Sequence, residues 1–235
     1  MEFGHYRDKG MPIGYSMVKD DGANYTLNSF NYRCPEWTPM PDGKKNVAVF
    51  GCSHTYGQGL NDDEHWVHFI SQHNTDRCRY WNLAQPGSSG DKIVRTLYGS
   101  EKIIDPRIVI VCWPNWSRRE RLGIDPENLS GDHNTLRYET EQTDRSNFLK
   151  NVFFVEKYGE KNNCKVLHCF ATESYHEHMD GCMVLRDQTI MNCYPWWHKT
   201  KQRQLQSDSV ARDGKHYGVK PVSYTHLTLP TKDSV

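Results

Sequence analysis

The sequence predicts an α/β fold in three layers, α/β/α, with a central, mostly parallel sheet and an extended N-terminal arm in front of it. Three observations predict it. Val47-Ala48-Val49-Phe50 and Ile108-Val109-Ile110-Val111-Cys112 are short, unbroken apolar runs rich in β-branched residues, as strands covered on both faces require. Segments with apolar residues three and four positions apart lie between such runs, so strands alternate with helices. Turn-rich sequence follows each of the first three domain strands, and Ser53, Gly87 and Asn115 stand in those turns, at the carboxyl ends where such sheets bind ligands.

Residues 1–45 are rich in Gly, Pro, Asn, Asp and Tyr without a sustained period, and read as an arm or loose cap laid over the domain. A strand is expected at 46–51. A helix follows at 62–73, where Trp66, Phe69 and Ile70 share a face and Asn61 or Asp62 is the expected N-cap. The strand expected at 79–83 runs into Ala84-Gln85-Pro86-Gly87-Ser88-Ser89-Gly90, a turn-rich loop that opens a helix over 91–102. The strand at 108–112 ends in Trp113-Pro114-Asn115-Trp116. Polar, aperiodic sequence over 117–145 suggests an inserted surface segment. Phe148, Val152, Val155 and Tyr158 give helical spacing over 147–161, and 165–170 is another buried strand. Residues 171–210 hold a His-rich loop and an indistinct helix. The domain is expected to span 46–221. Residues 222–235, with Val222-Ser-Tyr-Thr-His-Leu-Thr-Leu-Pro-Thr231, look like translated sequencing-adapter read-through of the kind found in environmental assemblies, which suggests an environmental microbial or viral source; this tail is set aside from fold reasoning, and the natural C-terminus is expected to be missing.

A chain of 235 residues suits one domain with a sizeable core. Lys plus Arg and Asp plus Glu are equal at 29 each, so no global field recruits nucleic acid or an anionic membrane, and neither is an expected partner. Aromatic residues make up 12%, seven of them Trp, and can supply core area or sugar-stacking surfaces. Neither a secretory signal nor a membrane span is visible, and eight cysteines without a CxxC pair read as reduced thiols in a cytoplasmic setting. His168, Cys169, His176, His178 and Cys182 carry zinc-binding side chains at spacings that match no closed site, so no metal is expected. Arg118, Arg119 and Arg121 suit a solvated face or a grip on an anionic substrate.

The chemistry centres on Ser53, which follows the strand at 46–51 through Gly51-Cys52. A serine is a weak nucleophile until a base takes its proton. Asp213-Gly214-Lys215-His216 offers that base, since three residues of separation let a carboxylate fold back onto the imidazole. Asp213 would then orient His216, and His216 would activate Ser53. Each residue also has a plain structural reading. Ser53 suits a helix cap, Gly87 a positive φ, Asn115 a turn after Pro114, and His216 the surface. Trp113 and Trp116 could line a substrate groove or fill the core.

These blocks together resemble the SGNH hydrolases, the GDSL-type esterase and lipase superfamily. Gly51-Cys52-Ser53-His54-Thr55 resembles the first block, with Ser53 at the nucleophile position and Cys52 where an aspartate is usual. Asn82-Leu83-Ala84-Gln85-Pro86-Gly87 resembles the second, which would make the Gly87 amide an oxyanion donor. The third block reads Gly-x-Asn-Asp in the family; here only Asn115 offers itself. Asp213 and His216 resemble the last block. Upstream, Leu27-Asn28-Ser29-Phe30-Asn31-Tyr32-Arg33 is similar to an Asn-x-x-Gly-Phe-Arg element that precedes the domain in some members acting on carbohydrate O-acyl groups, with Asn31 in the glycine's place. The resemblance implies a flavodoxin-like sheet and a serine esterase without a cofactor. Its triad would be Ser53, Asp213 and His216, its oxyanion hole the amides of Ser53 and Gly87 and the side chain of Asn115, and its substrate a small or carbohydrate ester. Two alternatives are an O-acyltransferase using the same acyl-enzyme and a non-catalytic carbohydrate-binding module. Oligomeric state is not legible.

Overall fold

A computed structural model describes residues 16–18, 22–37, 43–72, 75–120, 140–170, 211–213, 216 and 218. Most of the expected insertion, the His-rich loop and indistinct helix, and the tail from 222 lie outside the described residues. So do Arg121, His176, His178 and Cys182.

The described chain begins with an antiparallel ribbon of β1 (Ser16–Val18) and β2 (Asn24–Thr26), which pair Ser16 with Thr26 and Val18 with Asn24. The domain then runs β3 (Lys45–Phe50), the single turn α1 (Ser53–Tyr56), α2 (Trp66–Ser71), β4 (Cys78–Asn82), α3 (Gly90–Ile104), β5 (Ile108–Trp113), α4 (Glu141–Asn162) and β6 (Lys165–Phe170). The four domain strands form one parallel sheet in the order β4-β3-β5-β6. Every element expected from 46 to 120 and from 147 to 170 is present within a few residues, apart from the shorter α2; α1 is the additional turn.

Alternation along the strands divides the core into two. Ala48 and Phe50 of β3, Val109, Val111 and Trp113 of β5 and Val166 of β6 pack against α3 and α4, through Ile93, Leu97 and Ile104 of the first helix and Phe148, Val152, Val155 and Tyr158 of the second. Val47 and Val49, Ile108, Ile110 and Cys112, and Cys169 face the other way, onto Trp66, Val67 and Ile70 of α2. Both faces are covered, which is why the strands read as continuous apolar runs.

The chain leaves β3 for β4 on one side and returns across β3 to β5 on the other. Helices therefore fall on opposite faces, and the strand order reverses between β3 and β5. A crevice opens outside the carboxyl ends at such a reversal. Ser53 follows β3 there, and Asn115 follows β5.

Several boundaries move. Helix α2 starts at Trp66 with His65 as its N-cap, its ring accepting a hydrogen bond from the His68 amide, instead of starting at 62 under Asn61 or Asp62. Those two side chains serve the arm: Asn61 Oδ1 accepts from the Asn24 amide at 3.0 Å and Asp62 Oδ2 from the Thr26 amide at 3.0 Å. Helix α4 starts at Glu141 and not at 147, beneath a capping box of Thr140 and Thr143. The arm is more than a loose cap, because Tyr32 is buried in the same core as Ala48 and Trp81. Among the described residues no helix is long and apolar enough to cross a membrane, and Cys34, Cys52, Cys78, Cys112, Cys164 and Cys169 are free thiols.

Candidate active site

Ser53 is the first residue of α1, nearly buried at 7% exposure, with Cys52 in extended conformation ahead of it. The turn closes at once, since the Gly57 and Gln58 amides both donate to the Ser53 carbonyl at 3.0 Å. Asn82, at the end of β4, holds the turn from beside it. Its Nδ2 donates to the Thr55 carbonyl at 3.2 Å while its Oδ1 accepts from the Ala84 amide at 3.2 Å. One buried side chain thus joins the Ser53 turn to the loop that carries Gly87. The Gln85 amide, reaching the Gly51 carbonyl at 3.4 Å, joins them again.

Gly87 has φ +72 and nothing within 4 Å of where a Cβ would stand, so backbone conformation, not crowding, demands glycine here. Among the described residues neither its N–H nor that of Ser53 donates to a protein acceptor. Asn115 is exposed after Pro114. Its Oδ1 accepts from the Ser117 amide at 3.0 Å and the Ser117 hydroxyl at 2.8 Å, an Asx turn that orients the side-chain amide.

The distant part of the site comes from residues 211–213 and His216. The Asp213 carboxylate accepts from the His216 amide at 3.0 Å and from its Nδ1. The spacing that suggested this pair therefore closes as expected. With Nδ1 committed to Asp213, Nε2 is the nitrogen left for an incoming proton. The segment docks on the loop just after Ser53. Arg212 donates its amide to the Gly59 carbonyl at 3.2 Å and pairs its guanidinium with Glu64, and a Cβ on Gly59 would stand 3.0 Å from Asp213 Cγ. The His216 ring meets that of His54, the residue after Ser53, edge-on at 5.1 Å between centroids. Among the described residues no hydrogen bond joins the Ser53 hydroxyl to the His216 imidazole; catalytic hydrogen bonds are often loose before substrate binds.

Burial, the His216 ring and the Arg118 guanidinium push His54 down to about 4, so it is neutral around pH 7 and does not burden His216 with a second charge.

Trp113 does not line a groove. It is fully buried, its Nε1 donates to His168 Nδ1 at 2.8 Å, and its ring lies parallel to that imidazole with centroids 5.8 Å apart. His168 is itself buried and its Nε2 meets Glu156 at 2.5 Å. Two residues of the suggested zinc cluster, His168 and Cys169, are thus core residues, and no group of three or more possible metal ligands occurs among the described residues. Trp116 is half-buried against the α3 and α4 side of the core. Arg119 pairs with Asp144 at 2.7 Å, while Arg118 lies exposed near His54. Asn82 and His54 stand inside quoted motifs without a role assigned from sequence; a polar residue between Trp81 and Leu83, at the end of a strand, was the available signal for Asn82.

No protein-family model and no curated protein matches the sequence. Solved structures do. TesA superposes with a TM-score of 0.54 over 80% of this chain and 97% of its own, at 15% identity. A protein assigned to the G-D-S-L lipolytic family from Desulfitobacterium hafniense gives 0.53 over 79% and 97%, at 10% identity. A two-domain esterase active on acetylated mannans gives 0.54 over 80% of this chain and 48% of that one, at 13% identity. The parallel sheet with helices on both faces is therefore a known architecture: this chain has the fold of the SGNH, or GDSL-type, hydrolases.

Proposed function

We propose that this chain is a serine-dependent ester hydrolase working through an acyl-enzyme on Ser53, with His216 as base and Asp213 as its orienting carboxylate. One observation carries the reading: the Asp213–His216 pair, far from Ser53 in sequence, docks on the turn that Ser53 begins, with the His216 ring 5.1 Å from that of His54. Asp213 holds His216 directly, and Arg212 anchors the segment they share to Gly59 and Glu64, which is more than a plain surface histidine requires.

The steps follow from the groups present. Ser53 Oγ attacks the ester carbonyl carbon as its proton passes to His216 Nε2. Asp213, bonded to Nδ1–H, holds the tautomer and stabilises the imidazolium. The amides of Ser53 and Gly87 and the Asn115 side chain stabilise the oxyanion, each donor being worth about 10²–10³ in rate. The imidazolium then protonates the departing alcohol, leaving an ester on Ser53 Oγ, and water activated by the same imidazole releases the acid. The similar fold of an esterase acting on acetylated mannans supports O-acetyl groups of a carbohydrate as the substrate class.

A fluorophosphonate probe tests this directly. The intact chain is expected to take up the label on the peptide containing Ser53; Ser53→Ala takes up none, and His216→Ala reacts on the order of 10³-fold more slowly. A folded chain that never labels at Ser53 refutes the enzyme and leaves a binding module. Product analysis with an acetylated sugar in water separates hydrolysis from transfer to a second sugar.

A further inference from the structure

The arm supplies a guanidinium whose position neither catalysis nor simple coverage of the core explains. Arg33 has a side chain only 1% exposed, and all five of its N–H groups are used. Nε donates to Asp62 Oδ1 at 2.7 Å. One terminal nitrogen donates to the carbonyls of Tyr56 at 3.1 Å and Gly57 at 2.7 Å, the other to those of Asn24 at 3.3 Å and Leu60 at 2.6 Å. The guanidinium carbon also lies 4.5 Å from the ring centre of Tyr25 and 5.5 Å from that of Tyr56. Few geometries hold an arginine so completely, and lysine has neither the donors nor the plane to replace it.

What Arg33 grips matters more than how. Tyr56 and Gly57 close the turn that Ser53 opens, and Leu60 and Asp62 end the loop on which Arg212 docks. Between them Gly59 is fixed from the arm as well, its amide donating to the Tyr25 hydroxyl at 2.7 Å while its carbonyl accepts from Arg212. The arm thus holds both sides of one joint: the nucleophile's turn and the seat of its base.

We infer that Arg33 is a positioning residue, which with Tyr25 sets the register between Ser53 and His216 through the loop 56–62, so that the arm is part of the catalytic centre. The inference rests on the proposed roles of Ser53 and His216. A misplacement of about 1 Å in such a pair can cost about 10²-fold in rate while leaving substrate binding almost untouched. The expected signature is a fall in kcat at nearly constant KM.

The test compares the full chain with Arg33→Ala and Tyr25→Phe, using p-nitrophenyl acetate turnover, fluorophosphonate labelling and amide hydrogen exchange, with near-UV circular dichroism to establish folding. Both variants are expected to lose tenfold or more in kcat, with KM within about twofold, and to exchange the Arg212 and His216 amides faster. Millimolar guanidinium is expected to restore much of the rate to Arg33→Ala and none to Tyr25→Phe. Should Arg33→Ala not fold, Tyr25→Phe decides alone, because it removes a single hydroxyl. A folded variant with unchanged kcat overturns the positioning role and leaves the esterase standing. Failure of the intact chain to label at Ser53 overturns both.

Discussion

Gly59 meets two demands at once. Its φ is +79, and a Cβ there would stand 2.8 Å from Ala211 Cβ and 3.0 Å from Asp213 Cγ. Gly59→Ala is therefore expected to cost about 1 kcal/mol of backbone strain and to push Asp213 off its seat, lowering kcat about tenfold while the unfolding temperature falls by only a few degrees. Activity assays beside thermal unfolding check both halves. Trp113 should show the opposite pattern. Trp113→Phe leaves His168 Nδ1 buried without its donor, an expected loss of about 1–3 kcal/mol by urea unfolding, with kcat per folded molecule unchanged. The sequence placed Trp113 at a strand end, where a groove residue is plausible. The strand runs one residue further, and its alternation puts Trp113 on the same face as Val109 and Val111, inside the core.

Helices end where side chains have nothing better to do, and that is the information a single sequence lacks. Asn61 and Asp62 are strong cap formers, yet the unpaired amides of β2 draw them away, and His65 caps α2 in their place. The arm's placement is a tertiary fact, so no local pattern could have announced it. The first six residues of α4 carry no apolar stripe because they precede its contact with the sheet. Only the threonine pair at 140 and 143 marks the true start. Thr140→Ala is expected to destabilise the chain by about 1 kcal/mol in urea unfolding and to leave the proposed esterase activity unchanged. Strands β3 and β5 were legible for the converse reason. Burial on both faces leaves a continuous apolar run, and its shortness and β-branched residues mark it as a strand.

At the scale of the molecule the sequence carried the topology and the Asp213–His216 spacing, because alternating elements and a three-residue separation are local signals. The joint made by Arg33, Gly59 and Asn82 was not legible as a joint, since its parts belong to three separate segments and meet only in the fold. Two neutral histidines, His54 and His65, and the Glu64 carboxylate flank that joint, so stability there should follow pH accordingly. Burial drives His54 down to about 4 from its ordinary 6.5 and drives His65 well below that value too. Between those limits the unfolded chain binds protons that the folded chain refuses, so their contribution is complete above about pH 6.5 and drains away as pH falls toward 4. Glu64 is held below its ordinary 4.5 chiefly by the hydrogen bond from Arg212, so its contribution persists above that value and is lost only in more acidic solution. Urea unfolding from pH 7.5 to 3 should therefore show two declines: a histidine phase below pH 6.5 that His54→Gln makes shallower, and a lower phase that Glu64→Gln makes shallower. A midpoint that stays flat from pH 6.5 to 4.5 in the intact chain would mean that His54 and His65 are not held neutral, and that the packing around Ser53 is looser than its burial implies.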